Sequence, residues 1–171
     1  GDKLLGGPQS GIILGRAELV QVLKEDPLLR ALRVDKMTLA ALEATLRAYL
    51  EEDVQNTVPV LHMLSMSAAE LEKKALELKD ILAGNLKNCN IMLKPGVSRA
   101  GGGSLPLADL PTTLVALYPK KISPTDLAER LRRGDPPVVV RLHEDGVLID
   151  PRTLLPGDEE VLAKALRLVV G

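Results

Sequence analysis

The sequence predicts an α+β domain, helices laid against a mostly antiparallel sheet, preceded by a shorter region of one strand and several helices. Three observations predict it. From residue 68 onward the signals run helix, strand, strand, helix, hairpin, helix, an order that segregates helices from strands instead of alternating them. Hydrophobic residues make up 46% of the 171 and charged residues 26%, which suits a packed chain and argues against disorder. Between the two regions, residues 53–67 mix Asn56, Pro59 and polar residues with apolar ones, an irregular connection that places a domain junction there. The chain therefore divides into residues 1–53 and 54–171.

Taken in order, residues 1–10 are polar and glycine-punctuated, and Gly11-Ile12-Ile13-Leu14-Gly15 reads as a short buried strand behind that turn. Leu19, Val20 and Leu23 give a helical pattern over residues 17–24, which Asp26-Pro27 interrupts before a second helical piece over 28–34. Asp35 suits an N-cap, and Leu39, Leu42, Leu46, Tyr49 and Leu50 share one face of a helix expected to reach Glu52. Ser67 and Glu70 have capping-box spacing, and Leu71, Ala75, Leu78 and Leu82 continue that helix to a stop at Gly84. Residues 90–94 and 112–118 read as strands. Ser123-Pro124 opens a helix that stops at Gly134. Val138–Leu142, a turn at Glu144-Asp145-Gly146, and Val147–Asp150 form a hairpin signal, and a last helix begins near Asp158 with acidic residues at its positive end.

Composition narrows the chemistry. The chain has 34 leucines, no Phe, no Trp and only Tyr49 and Tyr118, so the core is aliphatic and base-stacking platforms are nearly excluded. A formal net charge of -1 disfavours a chain that is basic throughout but leaves room for a local basic patch. Cys89 is the only cysteine, which rules out an intrachain disulfide and a Cys-rich zinc site and fits a reducing cytoplasm. His62 and His143 stand far apart in no metal-binding spacing, and no metal site is expected. No apolar run is long enough for a membrane span. The first residue is Gly and not Met, which leads us to expect a fragment or processed form.

Triphosphate-binding, dinucleotide-binding and serine-hydrolase motifs are missing. Gly101-Gly102-Gly103-Ser104 has two readings, an anion cradle of backbone N–H groups or a plain bend between strands. Lys3 sits on a glycine-rich turn, and on position alone it reads as an ordinary solvated lysine.

The segment GDKLLGGPQSGIILGR closely resembles the cofactor-lysine segment of bacterial selenocysteine synthases, the L-seryl-tRNA(Sec) selenium transferases, which are fold-type I pyridoxal-phosphate enzymes. The resemblance continues through Leu29–Lys36, Thr57–Leu64 and Gly101–Pro106. It implies that residues 1–53 are the α/β tail of a large cofactor-binding domain and residues 54–171 a small α+β domain. It implies further that Lys3 carries pyridoxal phosphate and moves the proton at the substrate α-carbon, with Asp2 beside it as a proton-transfer or positioning group. As a plain residue, Asp2 is equally a turn former. Arg30 and Arg33 match arginines that hold the phosphate-like selenium donor, selenophosphate; at i, i+3 spacing on a helix they also read as a solvated face.

The reaction so implied converts seryl-tRNA(Sec) to selenocysteyl-tRNA(Sec) through a dehydroalanyl intermediate. The resemblance places the remaining cofactor contacts and a tRNA-binding domain upstream of Gly1, so the chain alone is expected to be inactive. It also implies a cytoplasmic homo-oligomer built from dimers, and apolar residues of the first region exposed for self-association. Two alternatives stand beside it. One is a related pyridoxal-phosphate lyase or aminotransferase of small amino acids. The other is a non-catalytic dimerisation or RNA-contact module using Lys120, Lys121, Arg130, Arg132 and Arg133, which also read as a solvated helix end.

Overall fold

Side-chain caps decide where the best-defined helices begin. The computed structural model describes residues 1–101 and 103–170. They divide into Gly1–Ser65 with the described part of Gly101–Ser104, and Met66–Ala100 with Leu105 onward.

The first unit carries α1 (Ala17–Glu25), α2 (Leu29–Leu32), α3 (Lys36–Ala48), α4 (Val54–Thr57) and α5 (Pro59–Ser65). Asp35 caps α3 as expected, its Oδ1 accepting from Met37 N at 2.7 Å and Thr38 N at 2.9 Å. That helix ends at Ala48, short of the expected Glu52. Glu51, Glu52 and Asp53 would put carboxylates on the negative end of a longer helix, which explains the stop. The irregular connection expected over 53–67 is instead two short helices, and Pro59, read as a breaker, occupies the first position of α5, where its missing N–H costs nothing.

The expected buried strand at residues 11–15 is absent: this segment has no regular secondary structure, and Ile12, Ile13 and Leu14 are 42%, 68% and 90% exposed. An apolar run becomes a strand only where another strand accepts its backbone hydrogen bonds, and no strand of the sheet pairs with this one. Among the described residues of this unit only Val58 is buried. Leu39, Leu42, Leu46 and Leu50 line an open apolar groove along α3.

The second unit has a true core. Ser67 and Glu70 form the capping box reciprocally and start α6 (Ala68–Asn85), whose Leu71, Ala75, Leu78 and Leu82 are buried on one stripe. Then follow β1 (Cys89–Ser98), β2 (Leu110–Pro119), α7 (Pro124–Arg132), β3 (Arg141–His143), β4 (Gly146–Ile149), a 3-10 turn at Pro151–Thr153, and α8 (Asp158–Val170). The strands form an antiparallel sheet in the order β1-β2-β4-β3. Alternation along β2 sends Val115 and Leu117 into the main core with residues of α6, α7 and α8, while Leu114 and Ala116 join Leu148 in a smaller cluster. The α+β expectation is met here.

Two strands run longer than expected and one runs shorter. β1 continues past Lys94 through Pro95 and Gly96 to Ser98, because an edge strand tolerates a residue without an N–H. Val138–Val140, expected in the hairpin, pair with no strand; the Val138 N–H donates instead to Leu131 O at the end of α7, 2.8 Å away.

A buried polar cluster braces the loop end of the β1–β2 hairpin, where Ser98 pairs with Leu110. Arg152, 4% exposed, donates from Nε to Ser98 Oγ at 3.0 Å and from Nη2 to Pro111 O at 2.7 Å. Asp150 accepts from Ser98 Oγ at 2.5 Å and from Thr112 Oγ1 at 2.8 Å. Desolvating a guanidinium is tolerable only with partners such as these.

Candidate functional site

The turn that carries Lys3 is fixed from several directions. Gly6 N donates to Lys3 O at 3.1 Å and Gly7 N to Gly1 O at 2.9 Å, while Gly1 N reaches Ser10 O at 2.7 Å. Tyr49, just past the end of α3, donates its hydroxyl to Leu4 O and Leu5 O at 3.2 and 3.1 Å. Gly6 adopts φ +69°, and a Cβ there would lie 2.7 Å from Val60 Cγ1 and 3.1 Å from Val58 Cγ1. Only glycine combines that backbone with that approach. Sequence reading treated Tyr49 as one more apolar residue of a helical face; its hydroxyl was the unused signal.

On this turn Lys3 Nζ and Asp2 Oδ2 form an ion pair of 2.5 Å, with the side chains 51% and 32% exposed. The Lys3 ammonium, first by hydrogen bonding, holds the Asp2 carboxyl below the usual carboxylate range. Asp2 anchors the Lys3 side chain on the turn, and the primary amine, half exposed, is accessible to an aldehyde once it has lost its proton.

Arg30 and Arg33 line one open cleft of about 450 Å³, together with Lys24, Asp26 and Leu29. Arg30 lies in α2, but Arg33 is its C-cap with extended backbone, so the two are not paired on a helical face as the spacing suggested. Lys24, at the last turn of α1, and Asp26 went unnoticed as cleft residues because Asp26-Pro27 read only as an interruption. Asp26 Oδ1 accepts from Leu28 N at 2.8 Å and so shapes the turn between α1 and α2.

The remaining candidates contribute less. At the glycine stretch Ser104 N donates to Gly101 O at 3.2 Å and Gly103 has φ +75°, a turn that occupies one N–H an anion cradle would need; Gly102 lies outside the described residues. Arg130 and Arg133 share a cleft with Asp126 and Glu129, and Arg133 pairs with Glu129 at 3.1 Å, so the local charge cancels. Burial pushes the Cys89 thiol up, away from the reactive thiolate. Among the described residues no three His, Cys, Asp or Glu side chains gather as a metal site, and no helix is long and apolar enough to cross a membrane.

The family profile described as L-seryl-tRNA selenium transferase matches residues 1–155. Curated L-seryl-tRNA(Sec) selenium transferases are similar over nearly the whole chain. The Desulfovibrio desulfuricans protein is 49% identical over 172 residues, covering 98% of this chain and 36% of its own length. That of Moorella thermoacetica is 49% identical with 97% and 36% covered, and that of Nitratidesulfovibrio vulgaris 50% identical with 100% and 37% covered. The chain thus spans little more than a third of the length of these relatives.

Proposed function

The chain belongs to the L-seryl-tRNA selenium transferase family, and from that membership we propose that it supplies the lysine and donor-anion portion of a pyridoxal-phosphate enzyme converting seryl-tRNA(Sec) to selenocysteyl-tRNA(Sec). The single observation behind the proposal is 50% identity to the Nitratidesulfovibrio vulgaris relative over 100% of the chain, a stretch that contains Lys3, Arg30 and Arg33. In this reading residues 1–53 end a large cofactor domain and residues 54–171 form a small accessory domain. The whole enzyme works in the cytoplasm as a homo-oligomer built from dimers.

Lys3 is the residue that would hold pyridoxal phosphate, and its accessible amine on a pinned turn fits that group. When bound, the cofactor supplies an electron sink that lets the seryl hydroxyl leave and selenium take its place. Lys3, once displaced by the substrate amine, carries the proton of the substrate α-carbon. Asp2 accepts a hydrogen bond from Lys3 Nζ and holds the amine in position. Tyr49 and Gly6 keep the turn from drifting, so Nζ is presented from a fixed backbone. Arg30 and Arg33 hold the phosphate end of selenophosphate through charge-assisted hydrogen bonds.

The test is a chimera in which residues 1–171 replace the aligned segment of the Moorella thermoacetica relative. The chimera should form selenocysteyl-tRNA from seryl-tRNA(Sec) and selenophosphate. Lys3→Ala should abolish turnover and the cofactor absorbance, and Arg30→Ala with Arg33→Ala should raise the KM for selenophosphate far more than the KM for the tRNA. Turnover surviving Lys3→Ala would refute the assignment.

A further inference from the structure

The cleft that holds Arg30 and Arg33 contains more charge than those two side chains. Lys24 adds a third cation and Asp26 a single carboxylate, which leaves a formal charge of +2 around one open volume of about 450 Å³. Among the described residues none of the three cations is engaged in an ion pair, so their charge is available to a ligand. The cleft on α7 is the internal contrast. There two arginines meet two carboxylates, one pair in contact at 3.1 Å, and nothing is left over for an anion.

We propose that Lys24 is the third anion-binding residue of the α1–α2 cleft and Asp26 its counter-charge, so that the site matches a dianionic phosphate-type group. The inference rests on the reading of Arg30 and Arg33 as holders of the donor phosphate and adds to it the charge class that the site selects. Asp26 has a double part. Through Oδ1 it fixes the turn by accepting from Leu28 N, and its negative charge limits how tightly any anion is held. A site that must release free phosphate after the selenium has left gains from that limit, because product affinity falls along with donor affinity.

The experiment titrates inorganic phosphate into the 171-residue chain and follows the amide resonances of residues 24–33. In an exposed cleft one added or removed charge shifts affinity by about threefold to tenfold, and added salt shrinks the effect. Lys24→Gln should weaken phosphate by that factor, with a shallower salt dependence. Asp26→Asn, which keeps an acceptor for Leu28 N, should tighten it by about threefold. Arg30→Ala with Arg33→Ala should remove binding, and Arg130→Ala with Arg133→Ala should leave it unchanged.

Opposite signs for Lys24→Gln and Asp26→Asn carry the proposal. If Lys24→Gln binds as the parent does while the Arg30 and Arg33 substitutions remove binding, the inference falls and the arginine reading stands. Weakening by both Lys24→Gln and Asp26→Asn also overturns it, since turn geometry and not charge is then being sensed. If the parent chain fails to bind, or the Arg30 and Arg33 substitutions change nothing, both fall together.

Discussion

Replacing Gly6 by alanine tests whether the turn under Lys3 is held by backbone conformation and close packing. At φ +69° an alanine incurs about 1–2 kcal/mol of left-handed backbone strain. Its Cβ would sit 2.7 Å from Val60 Cγ1 and 3.1 Å from Val58 Cγ1, well inside van der Waals contact. Relieving such overlap costs about 1–3 kcal/mol, and the stiffer unfolded chain returns about 0.4–1 kcal/mol, for a net loss near 2–3 kcal/mol. This unit has almost no buried core, so the loss should appear as local opening of residues 1–10 and not as global unfolding.

Amide exchange reads it directly. The N–H groups of residues 6 and 7, bonded to Lys3 O and Gly1 O, should lose about 30-fold to 150-fold protection while amides of β2 stay unchanged. Adding Val60→Ala to Gly6→Ala removes the closer overlap but leaves the Val58 contact and the backbone strain, so part of the protection should return. Unchanged exchange in Gly6→Ala, or a double variant no better than the single one, would show that neither the φ angle nor the valine contact holds the turn.

Two further predictions concern the framework around the site. Arg152→Met should destabilise the second unit by about 3 kcal/mol, lowering its Tm by roughly 10 °C or more, because Ser98 Oγ and Pro111 O lose a buried charged donor; a Tm within about a degree of the parent would contradict that role. The Asp35 carboxyl is held below its ordinary value chiefly by the Thr38 N–H and hydroxyl, so its cap is complete above the unfolded carboxylate pKa and is lost as pH falls through the lower folded value. Shifts of the Met37 and Thr38 amides should follow that acid transition, and Asp35→Asn should abolish it.

Local signals were legible wherever a few neighbouring residues determine the outcome. Ser67 with Glu70, Asp35, and Ser123-Pro124 each begin a helix where the sequence placed it, because a cap involves only the first turn. The stripe Leu71, Ala75, Leu78, Leu82 was equally plain, and it is the spine of the core. What the sequence hid depends on partners distant in the chain. Ile12 to Leu14 have the composition of a strand and lack a neighbour to pair with; Val138 to Val140 have it too, and the end of α7 claims the Val138 N–H.

At the candidate site the residues that resemblance singled out were visible, whereas their supports were not. Tyr49 reaches Leu4 and Leu5 across more than forty positions, which no local pattern encodes. Lys24 and Asp26 line the cleft with Arg30 and Arg33 only because the Asp26-Pro27 turn joins the end of α1 to α2.

The outer strand β1 bears on how copies of this protein can meet. Lys94, Pro95 and Gly96 interrupt its ten residues near the middle, and the adjoining Met92 and Val97 stand partly in solvent. A strand arriving from another molecule would find a missing donor and a lysine just where a continuous ladder must form. The sheet is thus closed to growth by main-chain stitching along this side. Any contact between copies along this side would fall to side chains.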